Sequence, residues 1–123
     1  MNMKKISKFD LTGNDMSWYF DDKSIQISYP NVEQAIANEN QGYILILLKG
    51  EDLPGKLIIL DGAGKEIENI TSIDGFKLYY LSSHPKTEVS IVCISDSPVD
   101  DFTDWHFGYN IKDHQFVRLN RAY

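Results

Sequence analysis

The sequence contains little cysteine and no long apolar run, and these two features exclude an internal disulfide and a membrane-spanning helix. Cys93 is the single cysteine among 123 residues, so no internal disulfide can form. The longest uninterrupted apolar segment, residues 43–48, is far shorter than the roughly 20 residues that a membrane-spanning helix needs. The N-terminal lysines are followed by polar residues and not by the apolar stretch of a secretion signal. We therefore expect a soluble, cytoplasmic protein that does not associate with membranes, with Cys93 buried in a strand.

Positive charge is also scarce, and one long segment has none. The chain carries 12 Lys and Arg against 18 Asp and Glu, which gives a formal net charge of −6. No basic residue lies between Lys86 and Lys112, whereas five acidic residues do: Glu88, Asp96, Asp100, Asp101 and Asp104. Binding to DNA or RNA needs a basic surface that displaces counterions from phosphates, so direct nucleic-acid binding is not expected.

The motifs that most enzymes and cofactor-binding domains carry are missing as well. There is no paired Cys or His motif with metal-ligand spacing and no glycine-flanked serine elbow. Gly62 and Gly64 join two apparent strands, whereas the glycines of a phosphate-binding loop open a helix. We therefore expect no enzymatic activity, no cofactor and no bound metal.

Hydrophobic residues are present in the amount and the pattern of a folded β domain. Their share of 42% excludes intrinsic disorder, and 123 residues suffice for a single domain over the whole chain, 1–123. Polar and apolar residues alternate over 16–20 and 24–29, which predicts two half-buried strands joined by a tight turn at Asp21 and Asp22. Residues 43–48 and 57–60 are apolar throughout, as in central strands that are covered on both faces.

One short helix is expected at residues 31–38, where Asn31 can cap the first turn and Val32, Ala35 and Ile36 share a helical face. Further strands are predicted at 66–70, 76–81, 88–95, 103–109 and 115–119. The fold class is therefore mainly β: an antiparallel β-sandwich or curled sheet of roughly nine strands with one short helix.

The acidic segment, residues 95–110, allows several interpretations. On a strand, Trp105, Phe107 and Tyr109 point to one face and enter the core, while Asp104 and His106 project from the other. If these three rings were instead exposed, they would form a surface on which sugars or bases can stack. The carboxylates and His106 could hold a metal, His106 oriented by Asp104 could act as an acid or base, or the segment could be a solvated loop. His84 and His114 are expected to be solvated loop residues. A further interpretation is a docking surface for a cationic partner, because clustered carboxylates steer association and can mimic nucleic-acid phosphates.

Several segments resemble small bacterial immunity proteins of contact-dependent growth inhibition and related polymorphic toxin systems. They are residues 57–67 (LIILDGAGKEI), 104–110 (DWHFGYN), 116–118 (FVR) and the closing Ala122 and Tyr123. The resemblance covers roughly the last two thirds of the chain and rests on strand and turn residues. It implies a small, cytoplasmic, single-domain protein that binds a cognate toxin domain and blocks its active site.

Charge and resemblance together predict a non-enzymatic inhibitor that binds and neutralises a basic toxin domain, expected to be a nuclease. The candidate partner-binding residues are Asp96, Asp100, Asp101, Asp104, His106, Asp21 and Asp22. The alternative is a β module that binds a small molecule or carbohydrate through Trp18, Trp105 and nearby tyrosines, and it requires exposed tryptophans. The sequence leaves the oligomeric state open.

Overall fold

The computed structural model describes residues 5–122, which form twelve β-strands. They are β1 (Ile6–Thr12), β2 (Asp15–Phe20), β3 (Lys23–Ser28), β4 (Val32–Asn38), β5 (Tyr43–Leu48), β6 (Lys56–Asp61), β7 (Glu66–Ile70), β8 (Ser72–Ile73), β9 (Phe76–His84), β10 (Glu88–Val99), β11 (Phe102–Asn110) and β12 (Gln115–Arg121). This part of the chain contains no helix, and so none that could span a membrane.

The strands form three antiparallel sheets stacked in three layers. The N-terminal sheet has the order β1-β2-β3, the middle sheet β4-β5-β6-β7 and the C-terminal sheet β12-β11-β10-β9-β8. One apolar cluster joins the middle sheet to the N-terminal sheet, and a second joins its other face to the C-terminal sheet. The middle sheet is thus covered on both faces, while each outer sheet keeps one face free of the other two.

The continuous apolar run of β5 is explained by this middle position. Tyr43, Leu45 and Leu47 belong to the cluster shared with the C-terminal sheet. Ile44 and Ile46, which point to the opposite face, belong to the cluster shared with the N-terminal sheet. Because successive side chains of a strand alternate between faces, a strand between two layers must be apolar at every position. The prediction that residues 43–48 and 57–60 are central strands covered on both sides is confirmed.

The predicted helix at residues 31–38 is wrong, because this segment is strand β4. Its residues pair antiparallel with β5, from Val32 opposite Leu48 to Asn38 opposite Tyr43. Asn31 has a left-handed backbone with φ of 60°, and its carbonyl accepts a hydrogen bond from the Lys49 amide at 2.8 Å, so it ends a turn and does not cap a helix. Pairing with the fully buried β5 outweighs the weak helical pattern.

The nine predicted strands are all present, and the strand count rises to twelve because β1, β4 and β8 were not predicted. The turn at Asp21 and Asp22 joins β2 to β3 as predicted, with Phe20 opposite Lys23. Cys93 is fully buried as expected, and burial raises the pKa of its thiol to about 12. The coarser prediction, a mainly β fold of antiparallel strands, is therefore confirmed.

A side chain of β4 links the middle sheet to the C-terminal sheet. The Leu81 amide of β9 donates to Gln34 Oε1 at 2.7 Å, and Gln34 Nε2 donates to the Leu81 carbonyl at 3.4 Å. The primary amide of Gln34 thus occupies the place that a peptide group of a neighbouring strand would take beside β9. This link satisfies two backbone groups that no adjacent strand reaches.

We expect Gln34→Met to lower the free energy of unfolding by about 1–3 kcal/mol, because it leaves the Leu81 amide and carbonyl without partners. Gln34→Glu keeps an acceptor for the Leu81 amide and should cost less. Gln26→Met, on the exposed face of β3, is the matched control and should change stability little. Urea unfolding of the three variants measures the order, and equal losses for Gln34→Met and Gln26→Met would contradict the structural role of the amide.

Candidate functional site

The acidic segment folds into the hairpin of β10 and β11. The pairing runs from Ile91 opposite Phe107 to Ile94 opposite Asp104, shifts register, and ends with Val99 opposite Phe102. Asp100 and Asp101 form the two-residue turn, with φ of 48° and 72°. Positive φ at both central residues is typical of a type I′ hairpin turn, which favours Asn, Asp and Gly. We call Asp96, Asp100, Asp101 and Asp104 the acidic tip.

Basic residues of neighbouring strands lie against the acidic tip. Lys77 Nζ is 2.9 Å from Asp96 Oδ1, and Arg118 Nη2 is 3.9 Å from Asp100 Oδ2. The guanidinium of Arg121 lies over the Phe102 ring, 4.2 Å from its centroid. Four aspartates and these three cations leave the surface with a local formal charge of −1. The surface is therefore far less acidic than the sequence of the segment alone suggests.

Two carboxylates of the tip have no such partner. Within residues 5–122, Asp101 and Asp104 form no ion pair with a lysine or arginine. Asp104 Oδ1 accepts a hydrogen bond from the Thr103 hydroxyl at 2.8 Å, and Asp101 is exposed at the turn. Asp96 and Asp100 also remain largely exposed, at 79% and 76% of their side-chain surface. The tip is thus accessible to a partner in spite of its internal ion pairs.

Asp21 and Asp22 do not extend this surface. They lie in the turn of the N-terminal sheet, where the adjacent Phe20 ring packs so closely on Gly62 that a Cβ there would meet it at 2.2 Å. Gly62 follows Asp61, which pairs with Tyr43, and the Tyr43 hydroxyl donates to the Tyr109 carbonyl at 3.3 Å. Tyr109 is at the end of β11, whereas the acidic tip is at its start. The two acidic turns therefore lie in different layers and at opposite ends of the molecule.

His106 faces a second histidine and not Asp104. Its Nδ1 is 2.7 Å from the Ser90 hydroxyl, and its ring lies against the ring of His84 with centroids 5.1 Å apart. Burial lowers the pKa of His106, and the neighbouring His84 lowers it further, so both favour a neutral imidazole. The acid–base arrangement with Asp104 that the sequence allowed is not formed.

His84 was expected in a solvated loop, and this prediction is wrong. The residue ends β9 and is 8% exposed. Its Nδ1 accepts from the Lys86 amide at 3.1 Å, which leaves Nε2 to carry the proton that bonds Asn120 Oδ1 at 2.6 Å. Tertiary packing against the end of β12 buries a ring that the surrounding polar sequence suggested was exposed. His114, by contrast, is exposed in its turn as predicted.

The geometry does not favour the other functions that the acidic segment allowed, which are metal binding, catalysis and ring stacking. Among residues 5–122 no cluster of three or more His, Cys, Asp or Glu could hold a metal ion. The Ser90 hydroxyl beside His106 belongs to a fully buried residue, so solvent does not reach it. Trp18 and Trp105 are 1% and 9% exposed, so neither offers the stacking surface that the alternative binding function required.

Sequence reasoning missed a groove at the opposite end of the C-terminal sheet from the acidic tip. A cavity of about 460 Å³ is lined by the β11 and β12 residues Gly108, Val117 and Leu119 together with Lys86 and Lys112. A second cavity of about 630 Å³ shares Lys86, Val117 and Leu119 with it. The only sequence signal was the alternation of Val117 and Leu119 with polar residues, which does not tell which face of an outer sheet is covered.

Comparison with known proteins identifies no relative: no family model, no curated protein and no solved structure matches this chain. Only the geometry and charge of the chain itself therefore bear on its function.

Proposed function

We propose that this chain is a non-enzymatic, immunity-type protein of the cytoplasm that binds and neutralises a cognate basic toxin domain, a nuclease being the expected case, through the acidic tip. The observation that carries the proposal is the ordered turn at Asp100 and Asp101. Two adjacent carboxylates are exposed there, on a backbone whose left-handed conformation is held by the flanking pair of Val99 and Phe102.

Preorganisation favours this turn as a docking element. Val99 and Phe102 pack against the core shared by the middle and C-terminal sheets, and Arg121 covers the Phe102 ring. A partner therefore meets carboxylates whose positions are already set, so less conformational entropy is lost on binding than with a flexible loop. The β10–β11 hairpin also presents Ser97 and Pro98 as exposed neighbours at the interface.

The internal ion pairs of the tip do not prevent binding to a cationic partner. Exposed pairs of this kind contribute about 0–1 kcal/mol, because water screens them and ordering the side chains costs entropy. Arg118 and Asp100 are 41% and 76% exposed, and their 3.9 Å separation lies at the limit of an ion pair. A lysine or arginine of the partner can therefore replace Arg118 beside Asp100 at little cost. Asp101 and Asp104, which form no ion pair with a lysine or arginine of residues 5–122, supply the excess negative charge.

The test is co-expression with the protein domain encoded directly upstream of this chain in its genome, followed by affinity measurement on the purified pair. We expect this chain to restore growth of a bacterial host that the upstream domain poisons. Asp100→Asn with Asp101→Asn should weaken binding by about tenfold or more and reduce its salt dependence, because the carboxylate attraction is lost. Asparagine tolerates left-handed backbone, so the turn is preserved.

The matched control is Asp21→Asn with Asp22→Asn, which removes the same charge from another two-residue hairpin turn that also carries two aspartates, in another layer and at the other end. This variant should bind as the unaltered chain does. Equal affinity of both double variants would overturn the assignment of the tip, and an upstream domain without toxicity would overturn the immunity function itself.

A further inference from the structure

The outer face of the C-terminal sheet carries a second surface, at the end opposite the acidic tip. We define the β12 groove by Lys86, Thr87, Gly108, Lys112, Val117 and Leu119, which line the 460 Å³ cavity. Asn38, Gln41 and Tyr43, from β4, β5 and the turn between them, complete the lining of the cavity, so the middle sheet borders the groove. Nothing in the proposed toxin-binding function uses the groove.

The floor of the groove is apolar and unusually exposed. Val117 is 52% exposed, more than the other exposed large apolar side chains of the described chain, Tyr19 at 44% and Tyr79 at 39%. Opposite Val117 stands Gly108, where a Cβ would lie 2.8 Å from Thr87 Cγ2 and 3.3 Å from Leu119 Cδ1. The missing side chain lets the methyl groups of Thr87 and Leu119 close around Gly108 and form a continuous apolar floor.

Unpaired positive charge borders this floor. Lys86 and Lys112 are both exposed, and neither ammonium group forms an ion pair within residues 5–122. Glu88 is the one acidic residue of the lining, and its carboxylate accepts a hydrogen bond from Asn40. In a chain with a net charge of −6, two free lysines beside exposed apolar side chains favour an occupant that is both acidic and apolar.

A free strand edge lies beside the groove. Among residues 5–122, β12 is the last strand of its sheet and pairs with β11 alone, so the backbone groups along its other side have no strand partner in this part of the chain. Its sequence contains Arg118 and Arg121 and no acidic residue. An exposed edge of this kind accepts an extended peptide as an additional strand, with the backbone giving affinity and neighbouring pockets giving specificity.

We propose that the β12 groove binds an extended segment of a partner protein whose groove-facing side chains, at every second position, are small apolar residues flanked by acidic ones. The segment adds to the free edge of β12, its apolar side chains cover Val117 and Leu119, and its carboxylates reach Lys86 and Lys112. Only every second side chain of an added strand faces the groove, so the apolar and the acidic residues must share that one set of positions. The charge of the groove excludes the basic toxin surface that the acidic tip attracts, so this site is independent of the proposed function.

The test uses two synthetic peptides with opposite charge, Glu-Ser-Val-Ser-Val-Ser-Glu and Lys-Ser-Val-Ser-Val-Ser-Lys, titrated into the isotopically labelled full chain. We expect the acidic peptide to bind with a Kd below about 1 mM and to shift the amide signals of Gly108, Val117 and Leu119. The basic peptide should leave these signals unchanged. No binding of the acidic peptide, equal binding of both, or shifts confined to other parts of the chain would overturn the proposal.

Charge variants separate a specific groove from general attraction. The double variant Lys86→Glu with Lys112→Glu should lower the affinity for the acidic peptide at least about tenfold. Lys23→Glu with Lys49→Glu makes the same change in net charge at exposed positions outside the groove lining, and it should bind as the unaltered chain does. Asp100→Asn with Asp101→Asn should also bind the peptide normally, which distinguishes this site from the toxin surface. Concentration-dependent broadening of β12 signals without peptide would show a second copy in the groove and overturn the peptide assignment.

Discussion

Replacing either Ile58 or Ile59 by alanine is expected to lower the free energy of unfolding by about 2–5 kcal/mol, although the two residues are neighbours in one strand. Ile58 is 1% exposed and packs in the cluster shared with the N-terminal sheet. Ile59 is fully buried in the cluster shared with the C-terminal sheet. Each substitution leaves a cavity, in a different core, because β6 belongs to the middle of three layers.

This pair of variants distinguishes three layers from two. In a two-layer sandwich one of two successive residues faces solvent, and its replacement by alanine changes stability little. Urea or thermal unfolding of Ile58→Ala and Ile59→Ala gives the comparison, with Val117→Ala as the exposed control at about 0.5 kcal/mol or less. A loss at only one of the two isoleucines would contradict the middle-layer position of β6.

Trp18→Ala is expected to cost about 3–5 kcal/mol, because it removes the largest side chain between the N-terminal and middle sheets. Trp18 is 1% exposed, and its Nε1 donates to the Gly62 carbonyl at 2.7 Å. Its ring also lies 6.1 Å from that of Phe9 between centroids. The substitution therefore opens a cavity and leaves a buried carbonyl without its donor, and hydrogen exchange should accelerate first in β2 and β3.

Two further variants separate these contributions. Trp18→Phe keeps most of the ring volume and loses the hydrogen bond, so we expect a smaller cost of about 1–3 kcal/mol. Tyr19→Ala, the next residue and 44% exposed on the opposite face of β2, should cost less than about 1 kcal/mol. If Tyr19→Ala destabilised the chain as much as Trp18→Ala, the orientation of β2 against the middle sheet would be wrong.

The two proposed surfaces lie at opposite ends of the C-terminal sheet and differ in charge. The acidic tip lies where β11 begins, and the lysines of the β12 groove lie where it ends and where β9 passes into β10. Two surfaces of opposite charge at the two ends of one sheet can contact different partners, or two regions of one partner, without competing for space. The paired variants at Asp100 and Asp101 and at Lys86 and Lys112 address the two ends separately.

Much of the fold was predictable because its signals are local. Polar and apolar residues alternate along β2 and β3, which indicates a sheet with one covered face. The unbroken apolar run of β5 indicates burial on both faces. The aromatic residues of β11 were correctly placed in the core, since Trp105, Phe107 and Tyr109 share one face of the strand. Such patterns depend only on the pleat of a strand.

The candidate site was predictable only in part, because the charge of a segment in the sequence does not give the charge of the surface on which the folded segment lies. The acidic segment was recognised from the absence of lysine and arginine, but Lys77, Arg118 and Arg121 reach it from two other strands. The opposite positions of the two acidic turns depend on the packing of Phe20 against Gly62, a contact between distant parts of the chain. Long-range contacts of this kind leave no trace in local periodicity.

The sequence by itself determined the mainly β class, the approximate positions of nine strands, the turn at Asp21 and Asp22 and the burial of Cys93, because each follows from side-chain alternation or from residues that favour tight turns. Only the tertiary structure decided that residues 32–38 pair with β5 as a strand, that the sheets stack in three layers, and that the acidic tip carries its own cations. A seven-residue segment with mixed apolar spacing satisfies helix and strand almost equally well. The free energy of pairing with a buried neighbour then selects the strand.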